Sequence, residues 1–225
     1  MSLITKQNRV AVLVCGHTRT WNECKESFFS MFPHDKFDIF MEAYEDQYGY
    51  HPYIQSKLNY FSDNKITSIN GYYKSCRVEN NVLFDCSTFD PRMRDFTHGY
   101  CQYSKLQKCL ELMIRYEYDH NIKYDYVVKT RFDLVYTDEA KTIDFASIDG
   151  LILDSNNTFP NDHIIIGDRE SIIDLPQFVL SEYTTPTNSL SWTNPPHGLL
   201  ENYIKTKNLK TQVLNISSIK RMNKN

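Results

Sequence analysis

An arginine and an aspartate stand two residues apart at the end of an apolar run, in the segment VVKTRFD that covers residues 127–133. If a strand continues through this segment, alternate side chains share a face, so Arg131 and Asp133 project together while Phe132 enters the core. Such an aspartate can bind a divalent cation, and such an arginine is a forked donor to phosphate. The alternative is an ion pair on a solvated rim, which stabilises a fold by about 1 kcal/mol or less.

A second candidate site follows the first apolar run, where residues 15–21 read CGHTRTW. A strand, a glycine and then polar residues that open a helix form the arrangement in which helix N-termini bind phosphate. Arg19 is a candidate contact to phosphate or base, and the alternative is a side chain that faces water. The chain has neither G-x-G-x-x-G nor G-K-S/T, and only 7 glycines, so dinucleotide-binding and P-loop folds are not supported.

A third candidate site contains acids and an imidazole around one apolar run. Asp162 and His163 precede the run, and Asp168 follows it. A carboxylate or imidazole beside a hydroxyl group can remove its proton, so one of these three residues is a candidate general base. The alternative is that Asn161 and Asp162 simply form a turn.

A lone histidine, His197, stands in the segment NPPHG before the last predicted helix. Glu201 follows one helical turn later and would share its face of the helix. His197 is a candidate ligand of metal or phosphate. The alternative is a structural or surface histidine, which is the more common role of a lone histidine.

These side chains need a scaffold, and the apolar pattern predicts an α/β domain with a mainly parallel sheet. Continuous apolar runs alternate with segments whose apolar residues recur every three or four positions. The predicted strands are residues 10–15, 36–44, 124–136, 150–155, 162–168 and 211–215, and the predicted helices are residues 17–32, 98–120, 169–183 and 197–207. Thr97 is the expected N-cap of the helix over 98–120. Ligands of such folds bind at the carboxyl ends of the strands.

The chain is expected to form one domain over residues 1–225, in which residues 45–95 are a less regular region with elements of its own. A net charge of −3 argues against a nucleic-acid-binding protein. No window approaches the roughly 18 apolar residues of a membrane helix, so no membrane span is expected. The N-terminal segment lacks the cleavage pattern of a signal peptide, and the six cysteines are expected to be reduced and mostly buried, in a cytoplasmic protein.

The order of several short segments resembles a known family. The segments are G-x-x-R-T after the first strand, FDIFMEAY, Q-x-x-K-L-x-x-C, YDYVVKTRFDLVY, FPNDHIIIGDRE and HGLLENYI. Over roughly residues 9–215 their order resembles GT-A-fold glycosyltransferases of giant viruses and of bacterial surface-polysaccharide clusters, including the chlorella-virus type that decorates a capsid glycoprotein.

The resemblance implies a fold and an activity. The expected fold is a GT-A-like three-layer α/β sandwich with a mainly parallel central sheet and a Rossmann-like nucleotide-binding half. The expected activity is metal-assisted transfer of a sugar from a nucleoside-diphosphate sugar, with UDP-sugar favoured, to a hydroxyl group of a glycan or glycoprotein. For a viral protein the expected location is the host cytoplasm or the virion.

The resemblance also implies roles for individual residues. The D-x-D metal motif of the family falls on residues 131–133, where arginine replaces the first acid and Asp133 matches the second, so Asp133 is the predicted ligand of Mn²⁺ or Mg²⁺. Asp162 matches the acceptor-side acid, which is the catalytic base if the enzyme inverts configuration. Arg131 is expected to stabilise the charge on the leaving diphosphate. The predicted donor-binding residues are Gly16, His17, Arg19, Gln102, Lys105, Arg131, His197 and Glu201.

Two other functions remain open at this point. The arginine in the metal motif favours a degenerate protein of the same fold that binds nucleotide or glycan without turnover. A third possibility is a metal-dependent phosphoester hydrolase that uses Asp133 and Asp162.

Overall fold

The computed structural model of the protein describes residues 8–17, 20–45, 75–80, 91–156, 159–184 and 195–220. Most of the predicted irregular region over 45–95 therefore lies outside the described residues. The described ranges contain a seven-stranded sheet, a two-stranded sheet and helices on both faces of the larger sheet. None of the described helices is both long and apolar enough to cross a membrane.

The nine described strands confirm the predicted class of fold. They are β1 (Val10–His17), β2 (Asp38–Glu45), β3 (Ser75–Asn80), β4 (Tyr126–Thr130), β5 (Leu134–Tyr136), β6 (Leu151–Asn156), β7 (Phe159–Asp168), β8 (Thr211–Leu214) and β9 (Ser217–Ile219). The larger sheet has the order β3-β2-β1-β4-β7-β6-β8, and β5 pairs with β9 in the smaller one. Six strands of the larger sheet are parallel, and only β7 is antiparallel to its neighbours. This is the mainly parallel sheet expected of a GT-A-like sandwich.

The described helices are α1 (Trp21–Met31), α2 (Pro91–His120), α3 (Arg169–Ile173), α4 (Leu175–Thr184) and α5 (Pro195–Lys207), with short 3-10 turns at Ala140–Thr142 and Phe145–Ser147. Helix α2 begins before the predicted start, so Thr97 lies inside the helix and the prediction that it is the N-cap was wrong. Pro176 falls in the first turn of α4, where the lost backbone N–H costs no helical hydrogen bond. The chain therefore forms two helices there instead of one interrupted helix.

Two apolar layers on opposite faces of the larger sheet make the fold a three-layer sandwich. Side chains alternate along β1, so Leu13 packs against α2, α4 and α5 while Val12 packs against α1. The layer beside α1 is aromatic, and its Trp21 ring meets Phe132 edge-on at a centroid distance of 5.5 Å. Of the predicted buried thiols, the side chains of Cys15, Cys24 and Cys109 are described, and all three are buried.

Candidate active site

The polar residues of interest meet at one edge of the larger sheet. Because β1 and β4 are parallel, their last residues lie at the same edge, and the antiparallel β7 begins there. We call this region the carboxyl edge and define it by residues 16–17, 129–133 and 161–163. It is the edge at which ligands of open α/β sheets bind.

Arg131 and Asp133 form a two-pronged ion pair at the carboxyl edge. Nε of Arg131 donates to Oδ1 of Asp133 at 2.9 Å, and Nη2 donates to Oδ2 at 2.7 Å. The Asp133 side chain is 10% exposed and that of Arg131 is 24% exposed, so the pair does not lie on a solvated rim. Burial opposes ionisation of Arg131, but Asp133 outweighs it and raises the pKa of the guanidinium.

The sequence analysis placed these two side chains together for the wrong reason, and it gave their ion pair only as the alternative. Strand β4 ends at Thr130, and Phe132 and Asp133 form a turn, so no strand continues through the segment. Phe132 is nevertheless buried in the aromatic layer, as predicted. The backbone carbonyl of Asp133 accepts a hydrogen bond from the amide of Lys220 at 2.8 Å, which fixes the turn. The two charged side chains therefore meet across a turn.

Asp162 is a buried carboxylate with a defined environment. Nε2 of Gln102, on α2, donates a hydrogen bond to its Oδ2, and Nζ of Lys129 donates to its backbone carbonyl. Nδ1 of His197, on α5, lies 3.9 Å from Oδ1. Burial opposes ionisation, but the charges of Lys129 and His197 hold the pKa of Asp162 below its usual range. Asp162 is therefore a carboxylate at neutral pH.

A bulge at the start of β7 gives Asp162 this position. The register of β6 and β7 shifts between Leu153 and Asp154, and Asn161 is the partner of Asp154. Asp162, His163 and Ile164 are consequently left without paired residues on β6. Bulges turn side chains away from the regular alternation of a strand and are common beside active sites.

Lys129 is a fully buried lysine that sequence reasoning missed. It shares the face of β4 that packs against α2, because Val127 two residues earlier belongs to that layer. Burial lowers the pKa of the ammonium group, and the charge of Asp162 opposes this effect. Its position at the end of an apolar run gave no signal that it would meet Asp162, since that contact depends on the β4–β7 pairing.

The other two candidate bases occupy different environments. Asp168 accepts hydrogen bonds from N and Oγ of Ser171, both at 2.8 Å, and so caps α3 at the opposite end of β7. His163 lies 3.9 Å from Oδ2 of Asp154, and burial, with the nearby positive charge of Arg131, lowers its pKa to about 4. Asp162 is the candidate base that combines charge with a place at the carboxyl edge.

Asn161 lies within strand β7, so the alternative that Asn161 and Asp162 form a turn was wrong. Its Oδ1 accepts a hydrogen bond from the amide of His163 at 2.9 Å. Its Nδ2 is buried, and within the described structure it has no hydrogen-bond partner. Nδ1 of His197 is also buried and lacks a hydrogen-bond partner there. Nδ1 of His197 is therefore available to a bound molecule next to Asp162.

The structure separates the predicted donor-binding residues. Gly16 ends the β1 run with φ of +122°, which favours glycine, and a Cβ there would meet no atom within 4 Å. The ammonium of Lys105 pairs with buried Glu42 at 3.0 Å. Glu201 is exposed and lies 3.9 Å from Lys205. Arg19 and the side chain of His17 lie outside the described residues.

Of the predicted site residues, Gln102, Arg131, Asp133, Asp162 and His197 therefore lie at the carboxyl edge or contact it. Within the described residues, Glu201 pairs with Lys205 and not with this group. The donor-binding roles of Gly16 and Lys105 stay predictions.

The described residues do not fit the predicted divalent cation at Asp133. Both carboxylate oxygens of Asp133 accept hydrogen bonds from Arg131. Within the described ranges, no three His, Cys, Asp or Glu side chains are grouped so that they could hold a metal ion. Mn²⁺ and Mg²⁺ prefer several oxygen ligands, which this arrangement does not supply. The metal site thus stays a prediction without support from the local donor set.

Comparisons with known proteins give a family and distant likenesses in fold. No curated protein matches the sequence. One solved structure that matches is the "crystal structure of a glycosyltransferase involved in the glycosylation of the major capsid of PBCV-1", with a TM-score of 0.45 and 7% identity over 92% of this chain and 82% of that chain. A likeness at this level carries no inference about activity. The model of a domain of unknown function, DUF7796, matches residues 5–181. Since this match spans more than half of the chain, the protein belongs to the DUF7796 family.

Proposed function

We propose that the protein is a glycosyltransferase that moves a sugar from a nucleoside-diphosphate sugar to a hydroxyl group of a glycan or glycoprotein. UDP-sugar is the favoured donor because of the sequence resemblance. The observation that carries the proposal is the buried, ionised Asp162 at the carboxyl edge, in the same region as the forked Arg131–Asp133 pair. A base for an acceptor hydroxyl and a cation for a leaving phosphate are the two groups that direct displacement requires.

The surroundings of Asp162 support its role as the base. Gln102 occupies Oδ2, so the carboxylate is oriented and Oδ1 is the oxygen available to an acceptor. A hydroxyl group between Oδ1 and Nδ1 of His197, which are 3.9 Å apart, would lie within hydrogen-bond distance of both. Donating its proton to Oδ1 would make the hydroxyl oxygen the nucleophile at the anomeric carbon. Positioned general bases contribute on the order of 10²–10⁴-fold in rate.

Arg131 supports the departure of the diphosphate. When the bond between sugar and diphosphate breaks, negative charge builds up on the leaving oxygen. A fixed guanidinium stabilises this charge more in the transition state than in the ground state, which lowers the barrier. No step of this scheme depends on a divalent cation, because the described residues do not fit one.

A second candidate function is nucleotide or glycan binding without turnover. The observation that favours it is that Arg131 bonds both carboxylate oxygens of Asp133, the predicted metal ligand. If transfer needed a cation at that aspartate, the protein would retain ligand binding and lose catalysis.

A panel of UDP-sugars and GDP-sugars separates these functions. The protein is incubated with each sugar nucleotide, with and without Mn²⁺, and the release of nucleoside diphosphate is followed. Slow hydrolysis of one donor, accelerated by a suitable acceptor, is the expected result. Calorimetric binding without any hydrolysis would favour the binding protein, and phosphate release from simple phosphoesters would favour a hydrolase. No affinity for any nucleoside diphosphate would reject the proposal.

A further inference from the structure

The carboxyl edge holds a charge pair where the resemblance implies a metal site. In a D-x-D site two carboxylates hold a divalent cation, and the ensemble has no net charge. Arg131 and Asp133 also form an ensemble without net charge, made from one cation and one carboxylate. The guanidinium contacts both carboxylate oxygens, which are the atoms that would ligate a metal. A guanidinium thus takes the place of the cation at this aspartate.

The guanidinium still has donors for a ligand. Arginine carries five N–H donors in a rigid fork, and Asp133 accepts two of them. Within the described part of the chain, Arg131 makes no further hydrogen bond, and its side chain is 24% exposed. Three N–H groups therefore remain on the side away from Asp133. A planar edge of this kind can bind two phosphate oxygens at once.

The pair is also held in place before a ligand arrives. Phe132 anchors the turn between the two residues by packing edge-on against Trp21 at 5.5 Å. The amide of Lys220 bonds the carbonyl of Asp133 at 2.8 Å. A side chain that is fixed in advance loses little conformational freedom on binding, which favours affinity.

We infer that the Arg131–Asp133 pair binds the diphosphate of the donor in place of a divalent cation, so that nucleotide binding needs neither Mn²⁺ nor Mg²⁺. The inference rests on the proposed function, because it assigns the phosphate-binding group of that same site. Arg131 supplies the positive charge, and Asp133 orients the guanidinium.

Calorimetric titration of the whole protein with UDP and with GDP tests the inference, once in EDTA and once in excess Mn²⁺. The dissociation constants of the wild type are expected to agree within about threefold between the two conditions. Affinity in EDTA weaker by about tenfold or more would overturn the inference and leave the proposed transfer intact. A protein that binds neither nucleotide in either condition would contradict the proposed function together with the inference.

The variant Arg131→Asp gives the most decisive test, because it places an aspartate on each side of Phe132, as in a D-x-D motif. Its affinity in EDTA is expected to fall by about tenfold or more, and Mn²⁺ is expected to restore it. Arg131→Gln keeps a polar contact to Asp133 without the charge, and it should also lose about tenfold in EDTA. Unchanged affinity of either folded variant in EDTA overturns the inference.

Arg169→Gln is the matched control, since Arg169 forms an equally short forked pair with Glu117 in another part of the fold. It should leave nucleotide affinity unchanged in both conditions. Thermal unfolding of all variants shows whether each one is folded before titration.

Discussion

Two forked arginine–carboxylate pairs lie at opposite edges of the same sheet. At the carboxyl edge, Arg131 meets Asp133 at 2.7 Å. At the other edge, which we call the amino edge and define by residues 117, 124–126 and 168–170, Arg169 meets Glu117 at 2.9 Å. The geometry of the two contacts is nearly the same, so the difference between them lies in what each pair joins.

The amino-edge pair joins parts of the chain that are far apart in sequence. Arg169 and Glu117 are 52 residues apart, and Glu117 also accepts a hydrogen bond from the amide of Tyr124 at 2.9 Å. Nη1 of Arg169 donates to Glu170 at 3.2 Å, and the Arg169 side chain is 13% exposed. The pair therefore fastens α2 to α3 and to the segment before β4, and three N–H groups of Arg169 donate within the protein, against two of Arg131.

The carboxyl-edge pair joins two residues that are already neighbours along the chain. Arg131 and Asp133 are two residues apart, so their contact closes no long loop and adds little tertiary stability. The comparison shows that contact geometry alone does not distinguish a structural ion pair from a binding site. The two pairs do differ in sequence separation and in the exposure of the arginine, which is 24% for Arg131 and 13% for Arg169, and both differences favour the proposal that the carboxyl edge binds a ligand.

The largest expected effect comes from the base at the carboxyl edge. Asp162→Asn preserves the shape of the side chain and the contact to Gln102 but cannot accept the proton of an acceptor. We expect the rate of sugar transfer to fall by about 10²–10⁴-fold in a variant that thermal unfolding shows to be folded. The rate is measured as nucleoside diphosphate released at saturating donor and acceptor.

Asp168→Asn is the control for this prediction, because it changes the same residue type at the other end of β7. Asparagine is also a good N-cap, so the helix keeps its first turn. If both variants lose activity equally, or if Asp162→Asn keeps full activity, Asp162 is not the base.

The second effect is on stability and belongs to the amino edge. Glu117→Gln leaves the mostly buried Arg169 without its partner charge, and this is expected to lower the free energy of unfolding by about 3 kcal/mol. The matched change at the carboxyl edge, Asp133→Asn, should cost less, since Arg131 is more exposed than Arg169 and its pair closes no long loop. Urea denaturation measures both. Equal losses of unfolding free energy in the two variants would mean that the two ion pairs stabilise the fold equally.

The third prediction concerns the pH dependence of stability that His163 causes at the carboxyl edge. Burial and Arg131 lower its pKa from 6.5 to about 4. Between these pH values the unfolded chain binds a proton that the folded chain does not, so the free energy of unfolding falls as pH falls through this window. A shift of this size corresponds to about 3 kcal/mol lost by pH 4.

The variant His163→Gln removes this one titration and leaves those of the surrounding acids. Urea denaturation at pH 7 and at pH 4.5 should therefore show a smaller loss of stability in His163→Gln than in the wild type. Parallel losses in the two proteins would mean that His163 titrates normally in the folded chain.

The sequence predicted the parts of this arrangement that depend on neighbours along the chain. Apolar runs located β1, β4 and β7, because strands buried on both faces leave an unbroken apolar pattern. The proximity of Arg131 and Asp133 and the burial of Phe132 were also predicted, although a turn and not a strand brings them about. Because Arg131 and Asp133 lie on either side of the buried Phe132, few conformations of this short segment keep their side chains apart.

The parts that were not predicted depend on contacts between distant segments. Lys129 meets Asp162 only because the antiparallel β7 pairs with β4. The unpaired amide of Asn161 results from the bulge opposite Asp154, and no local pattern marks a bulge of this kind. Lys105 carries the same type of side chain as a phosphate ligand, but its partner Glu42 is set by the packing of α2 on β2.

The smallest expected effect distinguishes a forked donor from a point charge at position 131. Arg131→Lys keeps the charge but loses the planar edge, so the dissociation constant for UDP is expected to rise by about fivefold, whereas Arg131→Ala should raise it by about tenfold or more. The matched change at the amino edge, Arg169→Lys, should lower stability and leave the dissociation constant unaltered. Calorimetry and urea denaturation on the same preparations measure the two quantities. If Arg131→Lys and Arg131→Ala bind UDP as tightly as the wild type, the guanidinium makes no contact with phosphate, and the two forked pairs then differ only in how far apart their residues lie in sequence.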